Sequence, residues 1–227
     1  MTERLRVELH SHTVWSKDCL VEFDTIIERC QARGIDRIAI TDHNTAEGAL
    51  ALQKLAPELV IVGEEIMTSQ GEILGYFMQE SIPKGLSPEE AIRRLREQGA
   101  VISVSHPFDR LRKGAWREAD LRRIIDQVDA IEVFNSRCAF NEDNRRAEVF
   151  AREQGLCATV GSDAHIPPEY GQATALLRPF ADAESFRAAL QDAQFDIHYS
   201  PNWVHFGSTY AKWMKRLGFR QRLWAGG

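Results

Sequence analysis

No run of apolar residues in this 227-residue chain approaches the length needed to cross a bilayer, so no membrane association through a span is expected. The opening MTERLRVELH has no apolar signal segment, and the four cysteines, Cys19, Cys30, Cys138 and Cys157, show no CxxC spacing. Those absences argue against a secreted disulfide scaffold and a thiolate zinc site, and make a reducing cytoplasm the expected home. Positive charge is not in excess either. A net charge of −5 excludes a general polyanion-binding surface, so any affinity for phosphate has to be local and supplied by bound cations. Repeats, low-complexity tracts and internal linkers are lacking as well. The whole chain, 1–227, therefore reads as one domain long enough to bury a full core, with 200–227 as a packing helix or tail and no obligate protein partner in evidence.

What the chain does have is punctuation by histidine. VELHSHT, RIAITDH, VISVSHP and TVGSDAH each close an apolar run, and the imidazoles recur with Asp18, Asp42, Glu64, Glu65 and Asp163 after successive strands. A buried core histidine usually comes singly with one partner, so this recurrence points to a multinuclear metal site.

Apolar runs at 5–9, 37–41, 59–66, 73–78, 101–104, 130–134, 157–160 and 174–177 are short and rich in branched residues, as buried strands are. Amphipathic stretches lie between most of them. The stretch 21–33 ends at Gly34 and 141–154 ends at Gly155. Ser87-Pro88-Glu89-Glu90 supplies an N-cap, a first-turn proline and a capping-box glutamate. Repeated β-α order predicts a mostly parallel sheet, most simply a closed barrel, with 73–78 as a hairpin return. In such barrels functional groups project from the carboxyl ends of strands, and each cluster here follows its strand. His10 and His12, two apart, face one side roughly 6–7 Å apart at the backbone, which suits one metal. Glu64 and Glu65 alternate, so only one of them can face the axis.

ELHSHT…SKD, ITDHNT, GEEI, SHP, EVFN and GSDAH, in that order from about Val7 to Gly171, resemble the polymerase and histidinol phosphatase (PHP) family of metal-dependent phosphoesterases. The resemblance implies a distorted seven-stranded β/α barrel with a trinuclear centre. It implies that His10, His12, Glu65 and Asp163 hold a first metal, that Glu65 bridges to a second also bound by His106, and that Asp18, His43 and His165 hold a third. Asp42 is expected to orient a neighbour instead of ligating. Where many relatives have a further histidine for the second metal, this chain has GEILGYF, and Glu72 is the available substitute. A carboxylate there favours Mn²⁺ or Fe²⁺ over Zn²⁺. In SKDCL an inserted Lys17 stands either near substrate or merely on the surface.

Three divalent ions facing four carboxylates leave an excess of about two positive charges, which matches a phosphate dianion. A water between two of the ions would fall from a bulk pKa near 15.7 towards roughly 7, giving a bridging hydroxide. The resemblance thus implies hydrolysis of a small phosphorylated metabolite, a nucleotide or a short oligonucleotide. Glu65, Asp163 and His165 would serve catalysis, and Arg137, Asn135 and Arg110 would bind substrate. Alternatives of a different kind are a TatD-like metal-dependent deoxyribonuclease or amidohydrolase, and a non-catalytic metal-binding module. The tail repeats Trp203, Phe206, Tyr210, Trp213 and Leu217 beside Lys212, Lys215, Arg216, Arg220 and Arg222. A helix packing its aromatic face on the barrel is the ordinary expectation, and nucleic acid stacking on those rings the sharper one.

Overall fold

The computed structural model describes residues 4–218, so Arg220 and Arg222 lie outside the described residues. Nine strands form one sheet: β1 (Leu5–Ser11), β2 (Arg37–Ile40), β3 (Val60–Met67), β4 (Glu72–Tyr76), β5 (Val101–Val104), β6 (Ala130–Asn135), β7 (Cys157–Gly161), β8 (Ala173–Leu177) and β9 (Gln194–Ile197). Their order is β7-β6-β5-β4-β3-β2-β1-β8-β9. Pairing is parallel except where β4 returns between β3 and β5 and where β8 and β9 continue past β1. The seven strands implied by the resemblance are therefore corrected to nine in the sheet. β8 pairs with the first half of β1, while the second half of β1 turns to meet the end of β7. There the backbone N–H of Asp163 donates to His10 O (2.8 Å) and that of His12 to Ala164 O (3.0 Å), which nearly closes the sheet into a barrel. Among the described residues, no helix is long and apolar enough to cross a membrane.

The helices are α1 (Phe23–Arg33), α2 (Glu47–Leu55), α3 (Pro88–Glu97), α4 (Glu118–Ile124), α5 (Asn141–Gln154), α6 (Ala183–Leu190) and α7 (Val204–Arg216). Their ends follow local chemistry. Gly34 and Gly155 stop α1 and α5 at φ of 61° and 68°, a region costly to residues with a Cβ, and the Ser87 side chain accepts from Glu90 N at the start of α3.

Alternation along the strands separates two apolar clusters. Ile38, Ile40, Val60 and Val62 pack outward under the helices, whereas Ala39, Ile61, Leu74, Tyr76 and Val101 share the inner face with Phe186 and Leu190 of α6. The inner rows continue, two residues at a time, into polar groups: Ile61 to Glu65, Leu74 to Glu72, Val101 to Ser105, and Ala130 to Glu132. β1 breaks the period. Val7 and Leu9 belong to the inner cluster, and a register shift between Glu8 and Ser11 lets the next residue, His10, face inward as well. The barrel is thus plugged with hydrocarbon at one end and lined with ligand-type groups at the other.

Helix α7 corrects the expectation for the tail. Its buried residues are Val204, Ser208 and Ala211, so the small side of the helix lies on the barrel and the aromatic row faces outward.

Candidate metal centre

Six of the strands, β1 to β5 and β7, deliver one or two groups each to a single buried cluster. His10 and His12 come from β1 and the residue just past it, His43 follows β2, Glu65 lies in the last half of β3 and Glu72 begins β4. His106 follows β5, while Asp163 and His165 follow β7. Asp18 arrives on the loop between β1 and α1. His106 and Asp163 have positive φ, 21° and 52°, a conformation that residues with a Cβ adopt at a cost. His106 is held there by its N–H donating to Glu132 Oε2 (2.8 Å), and Asp163 by its N–H on His10 O.

Three donor sets adjoin one another. In one, Asp163 Oδ1 lies 3.1 Å from His12 Nε2 and 3.6 Å from His10 Nε2, with Glu65 Oε2 3.4 Å and 3.5 Å from the same two nitrogens of His10 and His12. In the second, His106 Nε2 lies 3.0 Å from Glu65 Oε1 and 3.6 Å from Glu72 Oε2, while His43 Nδ1 is 2.9 Å from Glu65 Oε2 and 3.9 Å from Glu72 Oε1. In the third, Asp18 Oδ1 lies 3.5 Å from His43 Nε2 and 3.4 Å from His165 Nε2. Donor atoms of His10, His12 and Asp163 all fall within 4.8 Å of one another, as do those of His12, His43 and His165 and those of His43, Glu65 and Glu72. All nine residues expected as ligands are brought together, with Glu65 common to two sets.

The donor chemistry fits divalent ions. His10 Nε2, Asp18 Oδ1, Glu65 Oε2 and His106 Nδ1 are buried without a hydrogen-bond partner, a costly arrangement for a pocket that holds no cation. The imidazole tautomers point the same way. His10 Nδ1 donates to Glu132 Oε1 (2.9 Å) and His165 Nδ1 to the carbonyl of Asp163 (2.7 Å), which turns each Nε2 towards the centre. Ser16 Oγ donates to Asp42 Oδ1 (2.7 Å) and so accepts from His12 Nδ1 (3.0 Å), with the same result. Asp42 takes its remaining bonds from Thr13 N and Thr13 Oγ1, both 2.7 Å, and works through Ser16 on His12.

Charge balance tells a matching story. Burial alone would depress His10, but Glu132, Glu65 and Asp163 outweigh it and hold the imidazole well above its ordinary range. His43 is raised in the same way, chiefly by Glu65 and Asp18 against the pull of burial. Burial and the neighbouring His165 and His43 push His12 well below. Burial, then the Glu65 charge, raises Glu72. Protons on His10 and His43 thus stand where cations would, and metal binding must displace them. Burial also drives the Cys19 and Cys138 thiols far up, so neither is a thiolate nucleophile at neutral pH.

Beside Asp18 and His165 opens a cavity of about 390 Å³, also lined by Arg112, Arg137, His205 and Lys212. Larger hollows of about 590 Å³ beside Arg94 and about 700 Å³ beside Tyr199 touch none of the nine residues. Arg137 is 4 % exposed; its guanidinium donates to Ser208 Oγ (3.0 Å) and lies 3.3 Å from Glu169 Oε1. Arg110 does not reach this cavity: it is paired with Asp143 at 2.6 Å and stacked over Phe140. Arg112, two residues on, takes that place and donates to Asp163 Oδ2. Asn135 lies beneath the site, 3.2 Å from Glu132 Oε2 and 3.4 Å from Asp163 Oδ2. Lys17 is exposed, and Glu64 faces outward, accepting from Ile82 N at 2.9 Å while burial pushes it up to about 8.

Sequence reasoning missed Glu132, Ser16, Ser105 and Lys212. Glu132 stands in EVFN three residues before Asn135, and only the register shift between Glu132 and Phe134 brings the two to one side. Lys212, 3.4 Å from Asp18 Oδ2, had no local signal. Partners that orient metal-binding histidines matter nearly as much as the ligands, so Glu132→Gln is expected to weaken metal binding by roughly 10–100-fold while leaving the fold intact. Titration with Mn²⁺ monitored by calorimetry checks this, and unchanged affinity would mean that Glu132 is only a packing group.

The family described as the PHP domain matches residues 8–109, and the one described as PHP-associated matches 141–195. An uncharacterized protein of Methanocaldococcus jannaschii is 39% identical over 146 residues, covering 58% of this chain and 82% of that protein. Among solved structures, a two-domain protein of Bacteroides vulgatus containing a PHP-like metal-dependent phosphoesterase superposes with a TM-score of 0.70 at 18% identity, over 87% of this chain and 66% of that one. A lesion-specific endonuclease from Pyrococcus furiosus does so with a TM-score of 0.58 at 17% identity, over 85% of this chain and 57% of that one. At those identities the two structures speak for the fold alone.

Proposed function

Because this chain belongs to the PHP domain family, we propose that it is a metal-dependent phosphoesterase whose substrate is a small phosphorylated metabolite, a nucleotide or a short oligonucleotide. The observation that carries the reading is Glu65, whose Oε2 lies 3.4 Å from His10 Nε2 and 2.9 Å from His43 Nδ1 and whose Oε1 lies 3.0 Å from His106 Nε2, so that one carboxylate joins adjoining donor sets. His10, His12, Glu65 and Asp163 would hold one ion, His106, Glu65 and Glu72 a second, and Asp18, His43 and His165 a third. The ions, Mn²⁺, Fe²⁺ or Zn²⁺, would supply charge neutralisation of the phosphate and an acidified water at neutral pH.

The chain's own residues do the rest. Arg112 and Arg137 bring fixed positive charge to the cavity wall, and a planar guanidinium suits phosphate oxygens. Ser105 Oγ donates to Glu65 Oε1 (2.7 Å) and fixes the carboxylate between its imidazoles. The Nδ1 bonds of His10, His12 and His165 fix each ring so that its Nε2 is aimed inward. The cavity is recessed beneath α7 and the 105–116 loop, which suits a terminal phosphoester better than a duplex.

A screen of purified chain tests this. After exhaustive chelation, verified by elemental analysis, release of phosphate or nucleotide from phosphorylated metabolites, nucleotides and short oligonucleotides should vanish, and added Mn²⁺ should restore it. Undiminished turnover in metal-free protein would refute the mechanism. Efficient nicking of closed circular duplex would favour the deoxyribonuclease alternative.

A further inference from the structure

Helix α7 presents three different faces. Val204, Ser208 and Ala211 are buried on the barrel. His205, Thr209 and Lys212, on the next face round, line the cavity over Asp18 and His165. The third face carries Trp203, Phe206, Tyr210, Trp213 and Leu217, exposed by 54%, 78%, 55%, 56% and 65%. At 3.6 residues per turn this aromatic row lies roughly opposite the buried one and adjoins the cavity row. Phe206 and Trp213 sit three and four residues from Thr209, one turn to either side of it along the helix.

We propose that this outer face of α7 is a docking surface for single-stranded nucleic acid, leading the strand to the cavity. The inference rests on the phosphoesterase reading and narrows its substrate class to a single-stranded oligonucleotide. Three observations converge on that occupant. A row of rings this exposed is unusual on a water-facing helix and marks a surface that something covers. From Ile197 to the end of the chain there is no Asp or Glu, whereas Lys212, Lys215, Arg216, Arg220 and Arg222 are all present, in a protein of net charge −5. The segment from Ile197 onward is thus a basic stretch in an acidic chain, and its Lys212 lines the cavity. Aromatic faces flanked by cations suit bases and backbone phosphates of one strand, in any sequence, because every base has a stacking face. A duplex buries those faces against its own neighbours and offers none to α7. A lipid surface could cover the rings, but it could not follow them into a cavity walled by His205, Thr209 and Lys212.

Fluorescence anisotropy of a labelled, hydrolysis-resistant phosphorothioate strand of about twelve nucleotides on the metal-loaded chain tests the surface directly. Saturable binding is expected, falling with added salt, with the matching duplex much weaker. The double variant Phe206→Ala/Trp213→Ala, at exposed positions that the fold does not need, should weaken strand binding by roughly tenfold or more. Equal affinity for strand and duplex, or unchanged affinity in the double variant, would overturn the proposal. So would capture by phosphatidylcholine–phosphatidylglycerol vesicles without strand binding. No strand binding beside intact metal-dependent hydrolysis of small phosphoesters would overturn this surface and leave the phosphoesterase reading standing. Strand binding without hydrolysis of any phosphoester would do the reverse.

Discussion

Glu65→Gln is expected to lower phosphoester turnover by roughly a thousandfold or more, about 4 kcal/mol of activation barrier, and to strip metal from the chain. Among the described residues no other side chain meets so many imidazoles: its Oε2 lies 3.4, 3.5 and 2.9 Å from nitrogens of His10, His12 and His43, and its Oε1 lies 3.0 Å from His106 Nε2. Despite complete burial, which alone would raise it, the carboxyl is held well below its usual range by His10 and His43. The amide keeps the volume and one acceptor oxygen. It removes the negative charge and aims an N–H₂ at a nitrogen lone pair. Two donor sets lose a ligand at once, so metal content measured by elemental analysis should fall together with phosphate release, while circular dichroism stays that of the parent. Full metal content with full turnover in Glu65→Gln would show that the two sets do not share this residue.

Glu72 should behave differently, because it serves one set only. Glu72→Ala is expected to reduce turnover by roughly a hundredfold or more through loss of the second ion. His10, His12 and Asp163 remain, so the first ion should stay bound. Glu72→His should retain part of the activity and shift preference towards Zn²⁺, since imidazole is the softer donor. The surroundings give a second handle. A Cβ on Gly114 would lie 2.0 Å from Glu72 Oε2, inside contact distance, and Gly114 O accepts from Glu72 N at 3.0 Å. Gly114→Ala should therefore push the Glu72 side chain aside and reproduce the metal loss of Glu72→Ala. If Glu72→Ala left both metal content and turnover unchanged, Glu72 would be a turn residue and the second ion would need another donor.

Much of this centre could be read along the chain because strand ends and ligand motifs coincide. ELHSHT, ITDHNT, SHP and GSDAH name their residues without help from tertiary structure, since each lies where a parallel strand stops. What could not be read depends on direction and distance. Arg110 and Arg112 are equivalent as sequence, yet one turns to Asp143 and the other to Asp163. Lys212 reaches Asp18 across almost the whole chain, a pairing that no local pattern encodes. The ninth strand, β9, is half exposed and lacks a continuous apolar run, so QFDI gave no strand signal. The outward aromatic face of α7 defeated the ordinary rule that an apolar row faces the core, because Val204, Ser208 and Ala211 already cover the barrel with less volume.

The junction between β1 and the end of β7 has a consequence for how the chain matures as it is made. His10 and His12 leave the ribosome early, but Asp163 and His165, and the backbone bonds that bring them beside β1, belong to the last third of the sequence. Lys215, later still, donates to the carbonyls of Val14 and Ser16, which flank the loop bearing Asp18. Contacts this distant in sequence close only after the intervening strands have paired. The donor sets are therefore completed late in folding, when the junction between β1 and the end of β7 closes and brings Asp163 and His165 beside His10 and His12.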